Sequence, residues 1–190
     1  MSVPSNDLPK VRKANPADEE EIMALCRALH EENGLFSLAE AKVRGILHQA
    51  FSGQHAFVGV IGEKTKIEAS TCLLIDKPYY SDDYQLVELW NHVGELYRHT
   101  NNIDALIEFG KSCADKTGLT LVTGIITNNR VAGKVRKYRQ RLGYPAGAFF
   151  VYNARWMEGV MPSEEDFTRP LESRAERRQR ERREQKESVR

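Results

Sequence analysis

An apolar stretch, residues 85–93, passes through Gly94 into the polar segment Tyr97-Arg98-His99-Thr100-Asn101-Asn102 and then into an apolar-periodic stretch starting at Ile103. A strand that feeds a helix through a polar loop leaves the helix's first N–H groups unpaired at the positive end of its dipole. That is a ready site for phosphate, and Arg98 would add a fixed charge to it. Glu88 lies within Leu86-Val87-Glu88-Leu89-Trp90. Burial there would raise its carboxyl and make it a base; strand alternation would instead turn it to solvent, opposite Val87 and Leu89. Glu95 is a second candidate base. His92 and His99 flank the loop without a partner visible in the sequence and read as non-catalytic. Lys134, Arg136, Lys137, Arg139 and Arg141 form a basic helix face, either drawn to phosphate or simply solvated. No His, Cys, Asp or Glu spacing suggests a metal site.

The elements that would position these groups follow from periodicity. Residues 11–14 predict a short strand. Asn15-Pro16-Ala17-Asp18 reads as a helix start, with Asn15 as cap and Pro16 in the first turn. Ile22, Leu25, Cys26 and Leu29 then recur at helical spacing, and Gly34 ends that helix. Ser37-Leu38-Ala39-Glu40 has the form of a capping box for a second helix. Strands follow over 55–61, 67–75 and 85–93, with the first turn placed at 62–65. A helix over 103–117 closes at Gly118. A strand over 119–126, a basic helix over 128–142 and a last strand over 148–153 complete the pattern. The order β-α-α-β-β-β-α-β-α-β predicts a mixed α/β sheet with helices on both faces. The 103–117 helix has the length of a crossover that would set strands 85–93 and 119–126 side by side and parallel.

The segment 93–107 resembles the pyrophosphate loop of the GNAT N-acetyltransferase superfamily. Arg98 matches the start of that family's Arg/Gln-x-x-Gly-x-Gly/Ala motif, and Leu106 matches the helix that follows. Asn128-Asn129-Arg130 through Tyr138-Arg139-Gln140-Arg141-Leu142-Gly143-Tyr144 resembles the later Asn…Tyr-x-x-x-Gly-Phe segment. The resemblance covers about residues 11–153 and implies the GNAT acyl-CoA N-acyltransferase fold. It implies that Val93, Arg98, His99, Thr100, Asn101, Asn102, Ile103 and Asn129 bind acetyl-CoA as cosubstrate. It also implies that Tyr138 protonates the thiolate and that a splayed strand over 89–93 offers an N–H to the thioester oxygen, with Glu88 or Glu95 the candidate base, directly or through water. Asn101 and Ile103 stand where the family prefers small glycines, and the β-branched Ile103 would crowd a pyrophosphate. Loops without glycines resemble bacteriophage-encoded members.

The implied activity is direct transfer of an acetyl group from acetyl-CoA to a primary amine. The alternative is a catalytically weak or inactive GNAT-fold interaction protein, for example a phage component, that docks a protein partner through its tail. Eight Lys and Arg and four Glu fall within residues 173–190, so that segment carries +4 and the remainder −3. With almost nothing apolar it cannot join a core, and with no aromatic it gives no support to nucleic-acid stacking. The domain plan is a lead-in over 1–10, a GNAT-like domain over 11–160 and a charged tail, helical or disordered, over 161–190. Three dispersed cysteines read as buried free thiols and suit a reducing compartment. No apolar run approaches a membrane span and no secretory leader is visible. These features place the chain in the cytoplasm, or in a host cytoplasm or virion if it is phage-encoded.

Overall fold

Asn15 opens the first helical segment as its sequence predicts. Its side chain accepts from the Ala17 amide, and the Asp18 carboxylate accepts from the Asn15 amide at 2.9 Å. The fully buried Asp18 also takes both terminal nitrogens of Arg12 at 2.7 Å, which ties strand β1 (Arg12–Lys13) to the start of the helix. The computed structural model describes residues 8–33, 36–125 and 131–147. The expected strand over 148–153, Asn129, Gly34 and the 161–190 tail therefore lie outside the described residues.

After a 3-10 turn at Pro16–Asp18, helix α1 spans Glu19–Asn33 and α2 spans Glu40–Phe51. The expected capping box at Ser37 does not form. Ala39 stands at the cap position without a side-chain bond. The Glu40 carboxylate is held by Arg27 of α1 through two bonds of 2.7 Å, which keeps it from reaching back to Ser37.

Strands β2 (Ala56–Glu63), β3 (Lys66–Asp76), β4 (Gln85–Val93) and β5 (Thr120–Val122) join β1 in a five-stranded sheet of order β1-β2-β3-β4-β5. All neighbours are antiparallel except β4 and β5, which pair in parallel across helix α3 (Asn102–Thr117). The crossover expectation holds. β5 is shorter than the expected 119–126 strand, and its ladder reaches only Val87 of β4. Helix α4 (Val131–Leu142) packs against α3.

The sheet has a core on each face. Ile22, Met23 and Cys26 of α1 and Leu47 and Ala50 of α2 pack with Val58, Val60, Cys72 and Trp90. Leu106, Phe109 and Cys113 of α3 cover Ile61, Ala69, Leu73 and Leu86 on the other. Gly59 lets α3 close on the sheet, because a Cβ there would lie 2.8 Å from Phe109 Cε1 and 2.9 Å from Val11 Cγ1. Gly59→Ala is expected to destabilise the fold by about 1–3 kcal/mol, the cost of overpacking, measured by urea denaturation.

Cys26, Cys72 and Cys113 are buried free thiols, as expected. Burial pushes the Cys26 thiol up to about 12, so it is inert at neutral pH.

Candidate active site

Two register shifts shape the site. Between β2 and β3, Ile61 faces Ala69 while Gly62 faces Ile67, so Glu68 is an extra residue. Gly62 therefore sits in the strand at the bulge, with φ +106, rather than in the expected turn, and a Cβ there would lie 2.3 Å from the Lys66 carbonyl oxygen. The bulged Glu68 anchors the far end of β4. Its carbonyl accepts from the Gly94 amide at 2.8 Å, and its carboxylate accepts from Asn102 Nδ2 at 3.0 Å.

The second shift lies in β4. Leu73 faces Glu88 and Cys72 faces Trp90, leaving Leu89 as the extra residue, outward and exposed. A bulge re-aims every side chain beyond it. Trp90 turns to the α1/α2 core, while Glu88 shares the α3 face with Leu73. The solvent-facing alternative for Glu88 is thereby excluded.

Tyr138, on α4 and only 7% exposed, donates its hydroxyl hydrogen to Glu88 Oε1 at 2.7 Å. The two candidate catalytic residues, 50 positions apart in the chain, thus form one hydrogen-bonded pair. Asn91 donates to the other carboxylate oxygen, Oε2, at 3.2 Å. Burial raises the Glu88 carboxyl above its ordinary value, more than the bonds from Tyr138 and Asn91 and the charge of Lys134 lower it. Burial and the adjacent Glu88 also push the Tyr138 hydroxyl up.

The loop residues divide. Val93 gives its carbonyl to Arg98 Nε at 3.2 Å while its side chain packs in the core. The Arg98 guanidinium also binds the carboxylate of Glu32 on α1. Thr100 Oγ1 donates to the Tyr97 carbonyl at 2.6 Å and accepts from the Asn102 amide at 3.2 Å. His99 is exposed, and Asn101 caps α3 without a side-chain bond. Asn102, expected in the ligand loop, has its side chain turned into the protein onto Glu68. Ile103 is half-buried in the first turn of α3. Its amide and that of Asp104 have no helical acceptor behind them.

The basic face of α4 is neither solvated nor wholly directed at a ligand. Lys137 and Arg141 both bind Asp104, a buried carboxylate on α3, and Arg141 also reaches Glu108. Arg139 stacks over Tyr144 at 4.8 Å. Beside the loop lies a cleft of about 320 Å³ lined by Ala28, Glu31, Glu32, His92, Gly94, Glu95 and Arg98. Among the described residues no group of three His, Cys, Asp or Glu is placed to hold a metal ion, and no helix is long and apolar enough to cross a membrane.

Sequence reasoning did not single out Glu32, Glu68, Asn91 or Asp104. Each acts through a partner far along the chain or past a bulge, and none of the four carries a local signature.

No protein-family profile matches the chain, and no curated protein matches it in sequence. Solved structures do. An aminoglycoside 6'-N-acetyltransferase from Acinetobacter haemolyticus aligns at 15% identity and TM-score 0.56, over 78% of this chain and 99% of that one. A predicted acetyltransferase from Clostridium acetobutylicum, solved with acetyl-CoA, aligns at 10% identity and TM-score 0.59, over 76% and 95%. A third acetyltransferase, in complex with a bisubstrate analogue of CoA and acetylneamine, aligns at 13% identity and TM-score 0.59, over 77% and 98%. At such identities the likeness is one of architecture, and the chain has the GNAT acetyltransferase fold.

Proposed function

We propose that the chain is an acetyl-CoA-dependent N-acetyltransferase that moves an acetyl group directly to a primary amine. The observation that carries this reading is the Tyr138–Glu88 hydrogen bond beside the stretch of β4 that β5 does not cover. Solved proteins of the same fold include one with acetyl-CoA and one with a CoA-based bisubstrate analogue.

The residues present fit such a ligand. Beyond Val87, β4 runs to Val93 without β5 beside it, so a backbone N–H there can meet the thioester oxygen as it gains charge. The amides of Ile103 and Asp104 face the start of α3, where a pyrophosphate is favoured. The negative charge of Asp104 is paired by Lys137 and Arg141.

Acetyl-CoA would supply the activated acetyl group as a thioester. Glu88, held above its ordinary value by burial, takes the proton that the attacking amine loses. The Tyr138 hydroxyl gives its proton to the departing thiolate, and Glu88 returns one to the Tyr138 oxygen. The pair ends as it began, and the products are an amide and a free thiol. A tyrosine raised by a neighbouring carboxylate is a poor acid alone; it becomes competent once Glu88 is protonated. Glu31, Glu32 and Glu95 around the cleft outnumber Arg98 and favour an amine that arrives as an ammonium and gives one proton to water before it attacks.

A second reading, a weakly active or inactive protein of this fold that binds a partner, draws support from the Glu32–Arg98 ion pair and the Ile103 side chain at the loop. The deciding experiment incubates the purified chain with acetyl-CoA and a panel of polyamines, aminoglycosides and peptide N-termini, and follows thiol release. Acetyl-CoA at a hundred times its Kd should also add about 2.7 kcal/mol of stability. Absence of both thiol release and thermal stabilisation would end the enzymatic reading. Glu32→Gln frees Arg98 for phosphate and is expected to tighten CoA binding about two- to fivefold, measured by calorimetry. Weaker binding would mean that Glu32 aims Arg98 rather than competing for it.

A further inference from the structure

Asn91 lies three residues after Glu88 on β4, and on a regular strand such residues face opposite sides. The bulge at Leu89 removes one step of the alternation and sets both on the α3/α4 face. Glu88 then accepts through both oxygens, Oε1 from Tyr138 at 2.7 Å and Oε2 from Asn91 at 3.2 Å. Asn91 is 6% exposed, and its Oδ1 is buried with no hydrogen-bond partner among the described residues. Exchanging its oxygen and nitrogen would set oxygen against a carboxylate, so chemistry fixes the orientation. A leucine would fill a similar space without an unmatched oxygen, so packing alone does not account for the amide.

We propose that Asn91 is the positioning residue of the Glu88–Tyr138 pair: its amide clamps Glu88 Oε2, aims Oε1 at Tyr138 and keeps the carboxylate as the acceptor and the tyrosine as the proton carrier. What the pair then does rests on the acetyltransferase reading; the clamp does not.

Among the described residues, the groups that bear on Glu88 are few. Tyr138 and Lys134 come from α4. β3 faces it with Leu73, and the described part of β5, Thr120–Val122, carries no titratable group. On α3, Asp104 and Glu108 are matched by Lys137 and Arg141. Burial raises Glu88, and the Asn91 bond is one of three opposing influences. Its removal therefore raises Glu88 further.

The test is a carbon-13 NMR titration of the full chain labelled in its glutamate carboxyls, with the Glu88 signal identified by its loss in Glu88→Gln. In Asn91→Leu the Glu88 midpoint should move up by about one to two pH units, the worth of a hydrogen bond to a charged group. An unchanged or lowered midpoint overturns the proposal. Should Asn91→Leu fail to fold, Asn91→Ala carries the same measurement; failure of both would make Asn91 a residue of the fold and overturn it equally. The acid limb of the pH–rate profile should move with the midpoint. A midpoint that moves while the limb stays supports the clamp and removes Glu88 from the role of base, so the two readings fail separately.

Discussion

Tyr138→Phe is expected to slow acetyl transfer by a factor of about 10²–10⁴, the worth of general acid–base assistance, and to leave CoA affinity near that of the parent chain. The substitution keeps a ring that is almost wholly buried against the sheet and removes one hydroxyl. In the free protein that hydroxyl donates to Glu88, and in the relay it also hands a proton to the thiolate. The loss therefore falls on the transition state, with kcat and kcat/KM dropping together. A second consequence separates this outcome from simple damage. The bond from Tyr138 is the first of the influences that hold Glu88 down against burial. Without it the carboxyl rises further, and the acid limb of the pH–rate profile moves to higher pH. Stopped-flow thiol release across pH measures both effects. Full activity in Tyr138→Phe would show that the thiolate needs no proton from Tyr138 and would remove that residue from the relay.

The parts of this arrangement that periodicity can see were legible. β4 occupies residues 85–93 as read from its apolar pattern. α3 begins one residue before Ile103 and ends at Gly118, whose φ of +68 is the left-handed conformation that glycine permits. The parallel β4–β5 pairing followed from the length of α3. Glu88 and Tyr138 were chosen separately, one from its apolar run and one from the family resemblance, and their contact was not foreseen. That contact follows from the packing of α4 on α3, and the step missing for Asn91 and Trp90 was the Leu89 bulge. An inserted residue changes the phase of alternation without changing composition, so a two-residue period read through 85–93 turns everything after Glu88 the wrong way. Charge was misread for a related reason. Lys137 and Arg141 look like a solvated or ligand-facing stripe because Asp104, their partner, is more than 30 positions away. Asn102 looks like a loop residue until the Glu68 bulge draws its amide inward. The identity of each residue was in the sequence; which residue it would face depended on long-range register.

Glu88→Gln should abolish most of the activity while strengthening the fold, a combination that a purely structural Glu88 cannot give. The amide that replaces the carboxyl still accepts from the Tyr138 hydroxyl. Its new N–H₂ can donate to Asn91 Oδ1 once the Asn91 amide rotates, which matches the one oxygen of that cluster now without a partner. Proton transfer is lost, so the rate should fall by a factor of about 10²–10⁴, and the acid limb that reports Glu88 should vanish. The sign of the stability change follows from linkage. Burial holds the folded carboxyl above its ordinary value of 4.5, so between that value and the raised one the folded chain binds more protons than the unfolded chain. Stability then falls as pH rises through that window and levels off above it. Glu88→Gln has no such fall, so its advantage over the parent chain should open from about pH 4.5 upward and become constant once the folded carboxyl is ionised. Urea denaturation of both proteins at a series of pH values reads this directly. A variant that instead loses ground as pH rises would mean that Tyr138, Asn91 and Lys134 together outweigh burial. Glu88 would then be a firmly held anion, too weak a base to take a proton from an amine, and the relay would lose its first step.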